Sequence, residues 1–154
     1  MKKTFVLALL LAYCVTVFAQ EKKISIGIGA EGNMDSRHAY AGGAVLAFDY
    51  KLPRFVCLGF MIQGSSNFSD MHVIEPAILF RAYYLENEYR GAYFQSDLGA
   101  SIIFEQGEDL WIRPMVAFGA GYRFLLGSSF YIEPFGRLGF PFALGIGAVA
   151  GLRF

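Results

Sequence analysis

Eleven charged residues recur on alternating positions of this chain and carry most of the chemistry it can offer. They are Glu31, Asp49, Glu75, Arg81, Asp97, Glu105, Arg113, Arg123, Glu133, Arg137 and Arg153. Every cation among them is an arginine. A guanidinium is a rigid fork that can hold two carboxylates at once, so the set suits a packed ion network better than a hydrated channel. A second chemistry lies in two short stretches, where His38 follows Asp35 and Ser36, and His72 follows Ser69 and Asp70. A histidine base beside a serine and an acid is the raw material of acyl transfer, which needs base and nucleophile within hydrogen-bond reach. The same residue types are ordinary in turns, where their side chains bond nearby backbone. No motif ties either stretch to a reaction, so the chain is expected not to be an enzyme. Nothing in the residues calls for a metal or another cofactor.

The elements that must position these charges are strands. Eight alternating segments run from about Ile24 to Asn33, Tyr40 to Tyr50, Phe55 to Ser65 and Val73 to Tyr84, then Ala92 to Glu105, Ile112 to Phe124, Phe130 to Phe140 and Leu144 to Phe154. Each has about the length a tilted strand needs to cross a bilayer, roughly 9–11 residues. The last shows the pattern best: Leu144, Ile146, Ala148, Ala150, Leu152 and Phe154 share one parity, and Gly145, Gly147, Val149, Gly151 and Arg153 the other. All eleven charges lie on the parity opposite most of the large aliphatics of their segments. An arginine on a lipid-facing position near the midplane would cost roughly 2–4 kcal/mol, so a wrong register should strand some charge outside. The segments with two charges test this independently of the apolar residues, and all agree. The expected fold is all-β, an eight-stranded antiparallel up-and-down transmembrane β-barrel.

An eight-stranded barrel has an interior just wide enough for side chains to fill. The sequence therefore predicts a plugged lumen, with Met61, Leu79, Met115, Phe135 and Val149 forming a partly apolar middle. Glu75 and Arg81 on the fourth strand and Glu133 and Arg137 on the seventh are placed to meet near the axis. Cys57 also falls on the inward parity. Outward aromatics gather in two belts, Phe48, Tyr50, Tyr84, Phe94, Tyr122, Phe124, Phe130 and Phe154 at one end and Tyr40, Phe104 and Phe140 at the other, where rings meet headgroups. Pro76, Pro114 and Pro134 cut against a closed ladder and are expected near strand ends. A soluble sandwich or lipocalin-like barrel would instead face water with Leu, Ile and Phe over hundreds of Å2, beyond what soluble monomers expose. The outer tips, roughly Met34 to Ala39, Ser66 to His72, Gln106 to Leu110 and Pro141 to Ala143, are short and lower the prospect of an adhesive surface.

Residues Met1 to Ala19 read as an export signal: Lys2 and Lys3, an apolar run from Phe5 to Ala12, and Val17-Phe18-Ala19 before Gln20. The run is short for a transmembrane anchor. A lipoprotein site at Cys14 is disfavoured by the bulky Tyr13 before it. Cleavage would leave one domain, 20–154, with Cys57 as its sole cysteine and no intramolecular disulfide. Of 13 Lys and Arg against 13 Asp and Glu, Lys2 and Lys3 would be lost. The slightly acidic remainder does not suit nucleic acid, which wants a clustered basic face.

With these residues in place the chain resembles the small eight-stranded outer-membrane proteins of the OmpX, OmpW and OmpA-barrel kind. The resemblance covers essentially the whole of 20–154 and is most specific in the terminal stripe Ile146, Ala148, Ala150, Leu152 and Phe154. Leu152 stands where the family favours Tyr. The resemblance implies a monomer in the cell outer membrane, in contact with outer-membrane lipid. It also implies that the terminal stripe is the signal read by the barrel-assembly machinery, with periplasmic chaperones as partners before insertion. No OmpA-type peptidoglycan-binding domain is expected after Phe154. The implied role is envelope integrity or limited passage of small solutes, hydrophobic ones included. The alternatives are a surface interaction protein or adhesin, and a lipid A-modifying barrel with His38, His72 and Ser69 as its residues.

Overall fold

The computed structural model describes residues 23–34, 40–84, 89–105, 107 and 109–154. The export signal, and with it Cys14, lies outside the described residues, as do Asp35, Ser36 and His38. Eight strands follow in order: β1 Ile24–Met34, β2 Tyr40–Lys51, β3 Val56–Ser66, β4 Met71–Tyr83, β5 Gly91–Glu105, β6 Trp111–Leu126, β7 Phe130–Phe140 and β8 Leu144–Arg153. Each pairs antiparallel with the next, and β8 pairs with β1, so the sheet closes. The expected fold class holds. The ladder between β1 and β8 runs on past the last strand residue, because the Phe154 amide donates to the Ile24 carbonyl at 2.8 Å and the Ile24 amide donates to the Phe154 backbone oxygen at 3.1 Å.

The register sets how steeply the strands lean. Starting at Ile24, partners lead through Tyr50, Leu58, Phe80, Ser96, Phe118, Leu138 and Leu144, and return to β1 at Met34. The stagger is thus the whole length of β1, and closure with such a shear needs a strand tilt of roughly 35–45°. All these residues point outward, as an even stagger requires in a pleated sheet.

Alternation then separates two surfaces. Ile28, Leu46, Phe60, Ile78, Leu98, Phe118, Leu138 and Ile146 stand exposed on the outer wall, while their neighbours in sequence are turned into the lumen. Leu79 is fully enclosed there, packed with Met61, Met115, Phe135 and Val149. We call the end bearing Ile24 and Phe154 the near end and the other the far end.

The prolines depart from expectation in an instructive way. Pro76 and Pro134 lie well inside β4 and β7. Each keeps its pairing on one side, Pro76 with Ile62 and Pro134 with Ala148. On the other side the ladder lapses: β4 to β5 pairing skips Glu75 and Pro76, and β6 to β7 pairing skips Glu133 and Pro134. A proline lacks the N–H that one neighbour would accept, so only one of its two ladders is lost.

Candidate functional site

The lumen's polar residues form two sets along the barrel axis. In the near half, Asp49 Oδ2 accepts from Arg81 Nη1 and from Arg123 Nη2, both at 2.7 Å. Glu133 closes the ring, with Oε1 3.0 Å from Arg81 Nη1 and Oε2 accepting from Arg123 Nε. Tyr93 donates to Glu133 at 3.0 Å, and Arg81 Nε donates to Gln95 at 2.7 Å. Gln95 passes the chain on by donating to Asp97 at 2.9 Å. Aromatic faces complete the guanidinium shells: Arg123 lies 4.2 Å from the Tyr131 ring centroid, and Arg81 5.1 Å from that of Tyr93.

In the far half, Arg137 Nε donates to Glu31 at 2.6 Å and Nη2 to Glu75 at 2.9 Å, with Gln63 as a further acceptor. Ser101 donates to the second Glu75 oxygen at 2.6 Å. Arg81 of β4 thus reaches Glu133 of β7, and Arg137 of β7 reaches Glu75 of β4, so the two opposed pairs cross the lumen. The lumen is thus spanned at two levels by buried ion pairs. Breaking one such pair strands the partner's charge.

Three of the eleven alternating charges lie outside this network. Glu105 and Arg113 are on the inward parity but exposed, because β5 and β6 are the longest strands and carry them past the packed interior. Arg113 stacks instead on Trp111, 5.1 Å from its ring. Arg153 is half-buried at the near end, where its amide donates to Ser129 at 2.7 Å. Parity alone gave the side of the wall and not the height along it. The terminal stripe Ile146, Ala148, Ala150, Leu152 and Phe154 faces outward throughout.

Each mouth carries a stopper that alternation could not reveal. At the near end Tyr89, in the connection from β4 to β5, turns its ring inward against Tyr83, with centroids 5.4 Å apart. Its hydroxyl donates to the carbonyls of Leu52 and Arg54, and its backbone sits at φ 47°, a left-handed conformation that a bulky residue keeps only when its surroundings fix it. Burial pushes this phenol up to about 12. At the far end Phe142, from the β7 to β8 turn, packs on Ala41 and Val73, with Met71 and Ile103 against them. Both residues fall in turns, where no period marks which side chain points inward.

The far-end turn from β3 to β4 is built around Asn67, whose side-chain oxygen accepts from the amides of Ser69, Asp70 and Met71 at 3.0 to 3.2 Å. Its amide nitrogen donates to Asp70 at 2.8 Å, and this bond holds the Asp70 carboxyl below its usual range. His72 lies on the outer side of β4, across from Ser66. Among the described residues no hydrogen bond joins it to Ser69.

No protein-family model and no curated protein matches this chain. Among solved structures it is similar to the crystal structure of the N-terminal β-barrel domain of Pseudomonas aeruginosa OprF, with a TM-score of 0.59 and 16% sequence identity. The likeness covers 84% of this chain and 97% of that one. The likeness is one of fold: the chain shares the closed eight-stranded antiparallel barrel.

Proposed function

We propose that this chain is an integral outer-membrane barrel protein whose lumen is plugged, serving envelope integrity or the limited passage of small solutes. One observation carries the reading: the molecule is inverted relative to a soluble protein. Leu, Ile and Phe cover its outer wall, while Glu31, Asp49, Glu75, Asp97, Glu133, Arg81, Arg123 and Arg137 are buried within. An apolar wall this continuous would aggregate in water, whereas hydrocarbon solvates it at no cost. The closed ladder leaves no backbone edge unsatisfied, which lipid demands of any spanning sheet. Exposed Phe94 and Tyr84 at the near end and Tyr40 and Phe104 at the far end support the same placement, since such rings favour the interface.

Two measurements test the proposal. Expressed with its full sequence in a Gram-negative host, the protein should fractionate with outer membranes and change electrophoretic mobility on boiling, as closed barrels do when they unfold. Recovery in the soluble fraction would overturn the membrane assignment. In planar bilayers the purified barrel should show little or no steady conductance; large, stable openings would replace the plug with a channel. The outward stripe ending at Phe154 is the segment we assign to the assembly machinery. A Phe154→Ala chain should reach the membrane less well than the unaltered chain, while folding equally in detergent.

A further inference from the structure

The two luminal sets differ in charge. In the near half Arg81 and Arg123 face Asp49 and Glu133, a balanced ring. In the far half Arg137 alone serves Glu31 and Glu75. Asp97, fully enclosed, takes its hydrogen bond from the neutral Gln95. Among the described residues, Lys23, Lys51, Arg54, His72, Arg90, Arg113 and Arg153 are exposed or half-buried at the barrel ends, so none of them enters this space. Among the described residues the far half thus holds two carboxylates, Glu31 and Glu75, to one guanidinium, an imbalance that low-dielectric surroundings make costly.

A second, independent feature sits beside Glu31. Among the described residues, Asn33, 3% exposed and turned inward, has no partner at either its side-chain oxygen or its nitrogen. Glu31 Oε2 and the Ser65 hydroxyl are likewise buried and unpartnered. Two glycines flank these atoms. Gly43 separates Glu31 from Ser65 across the strands and contributes no side chain. Gly145 has the same effect from β8: Asn33 Oδ1 comes within 2.7 Å of where its Cβ would stand, and Glu31 Oε1 also crowds that point.

We propose that the far half of the lumen binds one small monovalent cation of the sodium or potassium class, held by Glu31, Asn33 and Ser65. The donors are all oxygens, the ligand type of a hard cation, and they include one carboxylate, too little charge for calcium, which takes several. Asp97 and Glu75 deepen the negative field without touching the ion. Entry is from the far mouth, past the Phe142 stopper, which admits a bare ion more readily than an organic ammonium. This site lies inside the wall, so its existence does not depend on the membrane assignment.

The test uses the complete barrel refolded in zwitterionic detergent. Its unfolding midpoint is compared in sodium, potassium and N-methylglucamine chlorides at equal ionic strength. Mass action predicts a midpoint about 4 °C higher in the sodium or potassium salt, since N-methylglucamine is too large to enter. Glu31→Gln and Asn33→Ala should each abolish that difference, while Asp109→Asn, in an exposed loop, should keep it. Equal midpoints for the unaltered barrel in all three salts overturn the site, as does a sodium effect that survives in Glu31→Gln or Asn33→Ala. A barrel indifferent to sodium but stabilised by lowering the pH shows that protons balance the charge, which also overturns it. Should Glu31→Gln fail to fold, sodium NMR on the unaltered barrel and Asn33→Ala decides: the former should broaden the sodium line and the latter should not. Equal broadening sinks the proposal.

Discussion

Arg123 and Glu133 face one another on β6 and β7 at a point where the two strands do not pair, and their side chains close the gap. Backbone pairing stops at Gly121 opposite Phe135 and resumes at Phe124 opposite Ile132, because Pro134 has no N–H to give β6. The Arg123–Glu133 salt bridge spans that interval. The same arrangement recurs at Pro76, where Ser101 donates to Glu75 between strands whose pairing has lapsed. Buried polar side chains therefore take over a task that the backbone performs elsewhere in the wall.

Glu133→Gln should be among the most damaging single changes in the lumen. It leaves Arg81 and Arg123 sharing Asp49 and weakens the side-chain bond across the Pro134 gap. A loss of about 3–5 kcal/mol is expected, as for a buried pair deprived of one member. Glu105→Gln, at the exposed rim, should stay within about 0.5 kcal/mol. Denaturant midpoints of the refolded proteins compare the two, and equal losses would mean that Glu133 is not part of a closed network.

Arg137→Ala should both destabilise the barrel and open it. Removing this guanidinium strands Glu31 and Glu75 and deletes the far level of the plug. Steady conductance should appear in planar bilayers, with none for Arg90→Ala at the exposed near rim. Unchanged melting and unchanged conductance would show that the lumen is already wet.

Cys57 should resist modification while the barrel is folded. Its thiol is buried on the inward face of β3, beside Arg81 on the next strand. A membrane-impermeant maleimide should label it only after unfolding. Rapid labelling of the folded protein would contradict the closed lumen.

Tyr89 should make the near end sensitive to alkali. Its folded phenol titrates at about 12, above the ordinary 10.0, so the neutral form is favoured by folding. The sign follows directly: its contribution is complete below the unfolded value and fades as pH rises toward the folded one. Unfolding midpoints of the unaltered protein and of Tyr89→Phe should therefore differ most at neutral pH and converge between pH 10.0 and about 12. A gap that stays constant across that window would remove Tyr89 from the near-end closure.

By itself the sequence determined the number of strands, their order and the side of the wall on which each residue lies. Period-two alternation is a local property: a one-residue slip would turn Ile28, Leu46 and Phe118 inward and send Arg123 into the apolar surroundings, so residues such as these fix the register without any knowledge of their partners. It also placed the opposed charges Glu75, Arg81, Glu133 and Arg137 on the inner face. Only the tertiary structure decided which charges meet. Height along the axis depends on the stagger accumulated around all eight strands, and that closure lifts Glu105 and Arg113 clear of the interior while it brings Arg81 to Glu133. The stoppers Tyr89 and Phe142 were likewise hidden, because a turn has no period to say which side chain points in. The unpartnered Asn33 came to light for the same reason, since whether a buried amide finds a partner depends on strands far from it in sequence.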